Sequence, residues 1–295
     1  MSPYSGLRNI ILIGFFFGFH GLFNRSLLIS GVNEIFIVTA RITLVTLLFS
    51  IYCFKEFKSE IKLEYFLKGS WTGFLAIFTP GWAFIYALKS ISAGLQSIFI
   101  ATIPMFTVFW VYFFYKEEKI TRSKIISVLI GLIGLSVLFI SGATGLSGDG
   151  DLFLGGALAL IGVQGLAIAN ITNKKDSQVI PAKTYLLTQW LFGSLLSIIL
   201  FFSLGGEIEF LTVSELSILL GLVFIDIFNY SLFFYTIKRL SATFTSLVDY
   251  VVPVFGIFLG YIFLDEVVSN IFFITLSMIF ISLYIAVKGE SQDSK

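Results

Sequence analysis

The chain has 295 residues, 57% of them hydrophobic and 13% charged, with a mean hydropathy of +0.96 and a formal net charge of +1. A soluble domain carries about 25% charged residues and cannot hide this much apolar side chain behind its surface, so the excess faces lipid, and disorder is excluded for the same reason. The 19 basic and 18 acidic residues leave no surplus for phosphates, which excludes nucleic acid as a partner, and the lone Cys53 forms no internal disulfide.

A helix needs about 20 mostly apolar residues to cross the hydrocarbon core. Charge clusters and Gly, Pro and Asn breaks divide the chain into ten such pieces: 8–28, 34–54, 66–88, 93–115, 122–142, 151–172, 182–204, 212–237, 241–264 and 267–288. Nothing alternates apolar and polar as barrel strands do. The first piece has Arg8 ahead of Ile10–Phe19, like a signal peptide, but no small-x-small cleavage site follows, so it reads as an uncleaved first helix.

Lys and Arg outside the spans give the orientation. With the N-terminus in the cytoplasm, 16 of them fall on the cytoplasmic side and only two, Arg25 and Lys89, outside; Arg41 lies within the second span. Both termini are then cytoplasmic, as expected for a multi-pass protein of a bacterial inner membrane.

Sliding the chain on itself by 149 residues aligns 84–117 with 233–266 at 12 identities in 34, without a gap. The matches include Lys89/Lys238, Pro104/Pro253 and Glu117/Glu266, which the Phe-rich composition does not explain. At an offset of 144, Gly18-Phe19-His20-Gly21-Leu22 meets Gly162-Val163-Gln164-Gly165-Leu166. Each half therefore holds five spans, and an odd number forces the second half into the membrane upside down. The fold expected is all-α: a polytopic membrane protein with ten transmembrane helices as two inverted five-helix repeats, 1–145 and 146–288, and a polar tail at 289–295. Inverted repeats are a common plan of secondary transporters, with the substrate site near the midplane.

These features resemble the drug/metabolite transporter superfamily, specifically the EamA type. The residues carrying the likeness are Pro104-Met-Phe-Thr with Lys116-Glu117-Glu118-Lys119-Ile120-Thr121, then Gly131 and Gly134, with Pro253-Val-Phe-Gly and Phe263-Leu264-Asp265-Glu266 as counterparts, and Arg41-Ile-Thr-Leu in span 2. The likeness covers nearly the whole chain and is almost silent on substrate. It implies a solute carrier with a central cavity, commonly exporting amino acids or related metabolites. Ile274–Leu283 lacks the glycines of its first-half mate, so the tenth helix is expected to pack less closely.

Ionisable groups inside spans are expensive and point to function: here His20, Arg41, Asp226 and Asp249. Asp226 and Asp249 in one cavity would bind a substrate amine or relay protons; the alternative is that one pairs with Arg41 as a structural salt bridge. Arg41 itself would attract a carboxylate or phosphate, or serve as an anchor. His20, whose ordinary pKa is close to physiological pH, and Gln164 occupy matching places between glycines, as a proton site or as interhelix hydrogen bonds. Pro104 and Pro253 are expected to kink their helices and free the carbonyls of Ile100 and Asp249. Among the aromatics, Trp82, Tyr86, Trp190 and Tyr250 neighbour these positions and are the candidates for the cavity wall. Glu117 and Glu266 end their spans as capping or gate residues.

No enzyme constellation, metal-ligand cluster or Walker-type loop is present, and no cofactor is expected. The expectation is a secondary carrier moving a small polar metabolite by alternating access, with the bilayer, a small-molecule substrate and a proton or counter-substrate as partners, as monomer or homodimer. The rival readings are a membrane-embedded enzyme on lipid-linked substrates, and a passive channel or non-transporting scaffold.

Overall fold

The computed structural model describes residues 3–60, 62–114, 122–143, 145–146, 149–240, 242–246 and 248–293. Its helices are α1 (Pro3–Ile29), α2 (Glu34–Glu60), α3 (Leu63–Gly73), a π-turn (Phe74–Phe78), α4 (Thr79–Ala87), α5 (Ala93–Ile100), α6 (Ile103–Phe114), α7 (Arg122–Ser141), α8 (Leu152–Asp176), α9 (Ala182–Ser203), α10 (Val213–Ile237), α11 (Ala242–Thr245), α12 (Val248–Phe263) and α13 (Asn270–Asp293). No strand occurs among the described residues. Among the described residues, six helical stretches are long and apolar enough to cross a membrane: Arg8–Ile29, Glu34–Cys53, Ala93–Phe113, Leu152–Asp176, Ala182–Ser203 and Val213–Ile237. The apolar stretches Ile125–Gly134, Val248–Phe263 and Asn270–Ser282 are shorter.

Helix pairing follows a pseudo-two-fold. α1 packs on α12 and α10, and its counterpart α8 packs on α5, α6 and α4. α3 on α9 answers α10 on α2, while α2–α9, α5–α12 and α7–α13 pair across the axis itself. This is the arrangement of inverted repeats. The loops gather at two ends. At one end Asn33 N–H donates to Glu209 Oε1 at 3.0 Å, Lys89 Nζ meets Glu34 Oε1 at 2.6 Å, and Val267 N–H donates to Gly145 O at 2.9 Å. At the other end Gln178 Nε2 donates to Lys238 O at 3.1 Å and Lys174 Nζ to Ile237 O at 3.2 Å.

Small residues set the closest crossings. A Cβ added at Gly14 would lie 2.4 Å from Val251 Cβ, so α1 and α12 meet with almost no side chain between them. The expectation of a looser tenth helix is not met. α13 lies against α7, where a Cβ on Gly134 would come within 3.1 Å of Met278 Cβ, and Ser282 Oγ donates to Ser127 O at 2.6 Å. Glycines on one helix suffice, because the gap they open admits the partner's larger side chains.

Two spans depart from simple rods. The fourth ends one helix at Ile100 and starts the next at Ile103, which makes Pro104 the second residue of α6 rather than a mid-helix kink. A proline is well tolerated there, since a first-turn N–H has no intrahelical acceptor anyway. Pro253 does lie inside α12. In the third span the backbone widens at Phe74–Phe78, just ahead of Pro80, which has no N–H to give the carbonyl of Ala76 four residues back.

Candidate functional site

A central cavity of about 110 Å³ lies where α1, α2, the π-turn with α4, α5, α8, α9, α10 and α12 converge. One water needs about 10–15 Å³ of such space, so several waters or a small solute fit. Most of the wall is apolar, as in ligand sites generally, and the polar groups are few.

α1 presents His20 and Asn24 on one face, one turn apart, with Gly21 between them. The small Gly21 lets the helix approach α5, since a Cβ there would stand 3.2 Å from Ala93 Cβ. Arg41 enters from α2 and Asp226 from α10; they are 7% and 2% exposed. His20 Nε2 lies 3.3 Å from Asp226 Oδ1, Arg41 Nη1 lies 3.5 Å from Asp226 Oδ2, and Arg41 Nη1 also contacts His20 Nε2. Asn24 Nδ2 lies 3.0 Å from His20 Nδ1 and donates to His20 O at 2.9 Å. The cluster therefore joins both halves: His20, Asn24 and Arg41 from the first, Asp226 from the second. An ion pair this deep persists because a lone buried charge costs more than a paired one.

Asp249 reaches the same cavity from the first turn of α12, and no described residue forms a salt bridge with it. Thus Asp226, not Asp249, takes Arg41 as its partner, and the second carboxylate is left facing the space.

Tyr230 follows Asp226 by one turn, packs edge-on against Trp190 with ring centroids 5.0 Å apart, and donates its hydroxyl to Ala76 O at 2.9 Å. That carbonyl is the one Pro80 cannot serve, so a side chain of the second half completes the backbone of the first. Trp190 lines the cavity, its Nε1 without a hydrogen-bond partner among the described residues.

The other sequence candidates lie elsewhere. Trp82 turns to α9 and donates to Ser197 Oγ at 3.0 Å, and Tyr86 stacks on it at 6.2 Å. Gln164 accepts from Trp110 Nε1 at 2.6 Å, an interhelix bond rather than a cavity group. Tyr250 is buried off the cavity wall, as are the rings of Pro104 and Pro253, although Ile100 and Val252 line it. Glu117 lies outside the described residues. Glu266 accepts from Ala93 N–H at 2.6 Å and Gly94 N–H at 2.9 Å, capping α5, whose Ala93, Gln96, Ser97 and Ile100 form one wall. Burial pushes the Glu266 carboxyl above the usual range against the downward pull of these two donors and of Arg25.

Sequence reasoning missed Gln96 and Pro80. Gln96 is a polar residue in the apolar run of Ala93–Ile100, which was the available signal; its Nε2 donates to Phe84 O at 2.7 Å. Pro80 gave no such hint, because its effect runs through the Ala76 carbonyl and a tyrosine 154 positions away.

The model of the EamA-like transporter family matches residues 5–140 and again 153–288. An uncharacterized transporter of Haemophilus influenzae is 27% identical over 269 residues, covering 83% of this chain and 85% of its own. An uncharacterized transporter of Clostridium kluyveri is 27% identical over 203 residues, covering 66% and 65% respectively. A crystal structure of a protein 17% identical in sequence superposes with a TM-score of 0.69 over 100% of both chains, a likeness of fold.

Proposed function

This chain belongs to the EamA-like transporter family, and from that premise we propose that it is a secondary carrier that exports a small polar metabolite, an amino acid or a related compound, by alternating access. Membership makes it a multi-pass membrane transporter and not an enzyme. The substrate class, the direction and the mechanism are the proposal. The observation that carries it is the buried polar cluster assembled from both halves, with Asp249 beside it, around one cavity. A site whose members belong to two inverted repeats changes its access when one repeat rocks against the other.

In this reading the repeats divide at 1–145 and 146–288, both termini face the cytoplasm of a bacterial inner membrane, and a proton or counter-substrate supplies the drive. The asymmetry of 16 basic residues against two supports that orientation.

The test is flux into proteoliposomes across a panel of amino acids and related metabolites. The expected result is saturable, ATP-independent flux driven by a proton gradient or by exchange. Absence of any gradient-driven or exchange flux across the panel overturns the carrier; flux that never saturates favours a channel.

A further inference from the structure

The hydrogen bonds around His20 do not close, and the surplus is specific. A neutral imidazole has one N–H and one lone pair. Asn24 claims the lone pair at Nδ1: its Nδ2 lies 3.0 Å from that nitrogen. The same Nδ2 also donates to the His20 carbonyl at 2.9 Å, so exchanging the amide's O and N would set two oxygens against each other. The hydrogen must then sit on Nε2, where Asp226 Oδ1 at 3.3 Å is the acceptor. That uses both capacities of the ring. Arg41 Nη1, which also points at Nε2, finds no lone pair there, and Arg41 Nε has no hydrogen-bond partner among the described residues. Arg41 is 7% exposed and lines the cavity. Trp190 lines it as well, 1% exposed, with Nε1 equally unpartnered. Buried donors without acceptors are costly and rare.

We propose that Arg41 and Trp190 form the subsite for a singly charged carboxylate of the transported solute, with Asn24 as a positioning residue that holds His20 in the Nε2–H form and so keeps Arg41 available. The inference rests on the carrier reading and deepens it. A carboxylate suits the fork of a guanidinium, which it meets through two parallel N–H···O bonds. Charge argues for a monoanion: the cavity already sets Asp226 and Asp249 against the one Arg41, and a dianion such as phosphate would add two negative charges to that balance. When the carboxylate engages Arg41, both nitrogens of the His20 ring keep their partners: Asn24 at Nδ1, and Asp226 Oδ1 at Nε2–H.

His20 is the sole histidine of the chain, so histidine labelled with ¹⁵N reports one imidazole in the full-length protein, purified through a histidine-free tag into nanodiscs. The neutral ring is expected in the Nε2–H form. A neutral ring in the Nδ1–H form overturns the proposal, because Nε2 would then accept from Arg41 Nη1, and that donor would no longer be in surplus. Asn24→Ala is expected to mix the two forms; an unmixed Nε2–H signal in that variant removes the role given to Asn24.

The second arm titrates sodium acetate, sodium phosphate and tetramethylammonium chloride against the same signal and against apparent Tm. Acetate alone is expected to shift both, with its midpoint raised about tenfold or more in Arg41→Lys, which keeps the charge opposite Asp226 and loses the fork. An unchanged acetate midpoint in Arg41→Lys, or phosphate binding as strongly as acetate, overturns the carboxylate subsite. These readouts report binding, so they separate from flux. A wild type that transports without an Arg41-dependent acetate response sinks the subsite and leaves the carrier standing, whereas Arg41-dependent acetate binding without any flux sinks the carrier alone.

Discussion

Among the buried carboxylates that bridge the repeats, Glu266 and Asp226 are built in opposite ways. Glu266 comes from the loop after α12 and gives one oxygen to each of two N–H groups of α5 in the other half, Ala93 and Gly94. Those are the orphan donors that every helix start presents, and the negative charge also suits the positive end of the helix. Space was cleared for it: a Cβ at Gly260 would fall 2.2 Å from Glu266 Oε2. Asp226 sits deeper, shared between His20 and Arg41, and its Oδ2 has no hydrogen bond among the described residues although Arg41 stands 3.5 Å away. The difference separates two uses of a buried charge. A saturated carboxylate holds two helices in one geometry. On the proposed reading, a cluster left with unmet donors and acceptors is cheap to rearrange when a solute arrives, since binding restores what burial took away.

That contrast predicts opposite phenotypes, and the largest effect belongs to the cavity. Asp249→Asn should reduce flux about 30-fold or more, the scale of removing a charged partner from a buried contact, while membrane insertion and apparent Tm stay at wild-type values. Wild-type flux in this variant would remove Asp249 from the transport cycle. Glu266→Ala should do the reverse, lowering apparent Tm through two unsatisfied buried N–H groups at about 1–3 kcal/mol each. Gly260→Ala should lower it in the same direction by displacing the same oxygen. If Glu266→Ala leaves Tm unchanged, the cap does not hold the halves together and the comparison fails.

The smallest effect is a slope with pH. Because burial raises the Glu266 carboxyl in the folded state, the folded chain binds a proton that the unfolded chain has already released. Stability therefore falls as pH rises from the unfolded Glu value of about 4.3 through the raised folded value. Glu266→Gln has no proton to lose, so in thermal melts across that window its slope should be flatter than that of the wild type. An equal slope in both would assign the dependence to another group.

Much of the candidate cavity's polar lining was legible in advance, and the limit falls at a definite place. His20, Arg41, Asp226 and Asp249 stand out in the sequence because charge inside an apolar span is costly and needs a reason, and all four line one cavity. The aromatics carry no such signal. Trp82, Tyr86, Trp190 and Tyr250 are equally apolar on the page, yet Trp190 alone of the four lines the cavity while Trp82 is spent on Ser197. Which face of a helix turns inward depends on its rotation, and in this chain the helices are apolar on all sides, so periodicity does not reveal it.

By itself the sequence determined the helical class, the ten spans, the five-and-five repeat and the identity of the polar residues that had to be buried. These follow from the cost of charge and of unpaired backbone in lipid, which acts on each segment separately. Only the tertiary structure decided that Arg41 pairs with Asp226 rather than Asp249, that Tyr230 serves the carbonyl freed by Pro80, and that Pro104 begins a helix instead of bending one. Those outcomes depend on which residues of one repeat meet which of the other. The approach of glycine-lined helices across the pseudo-two-fold sets that register, and no local stretch of sequence contains it.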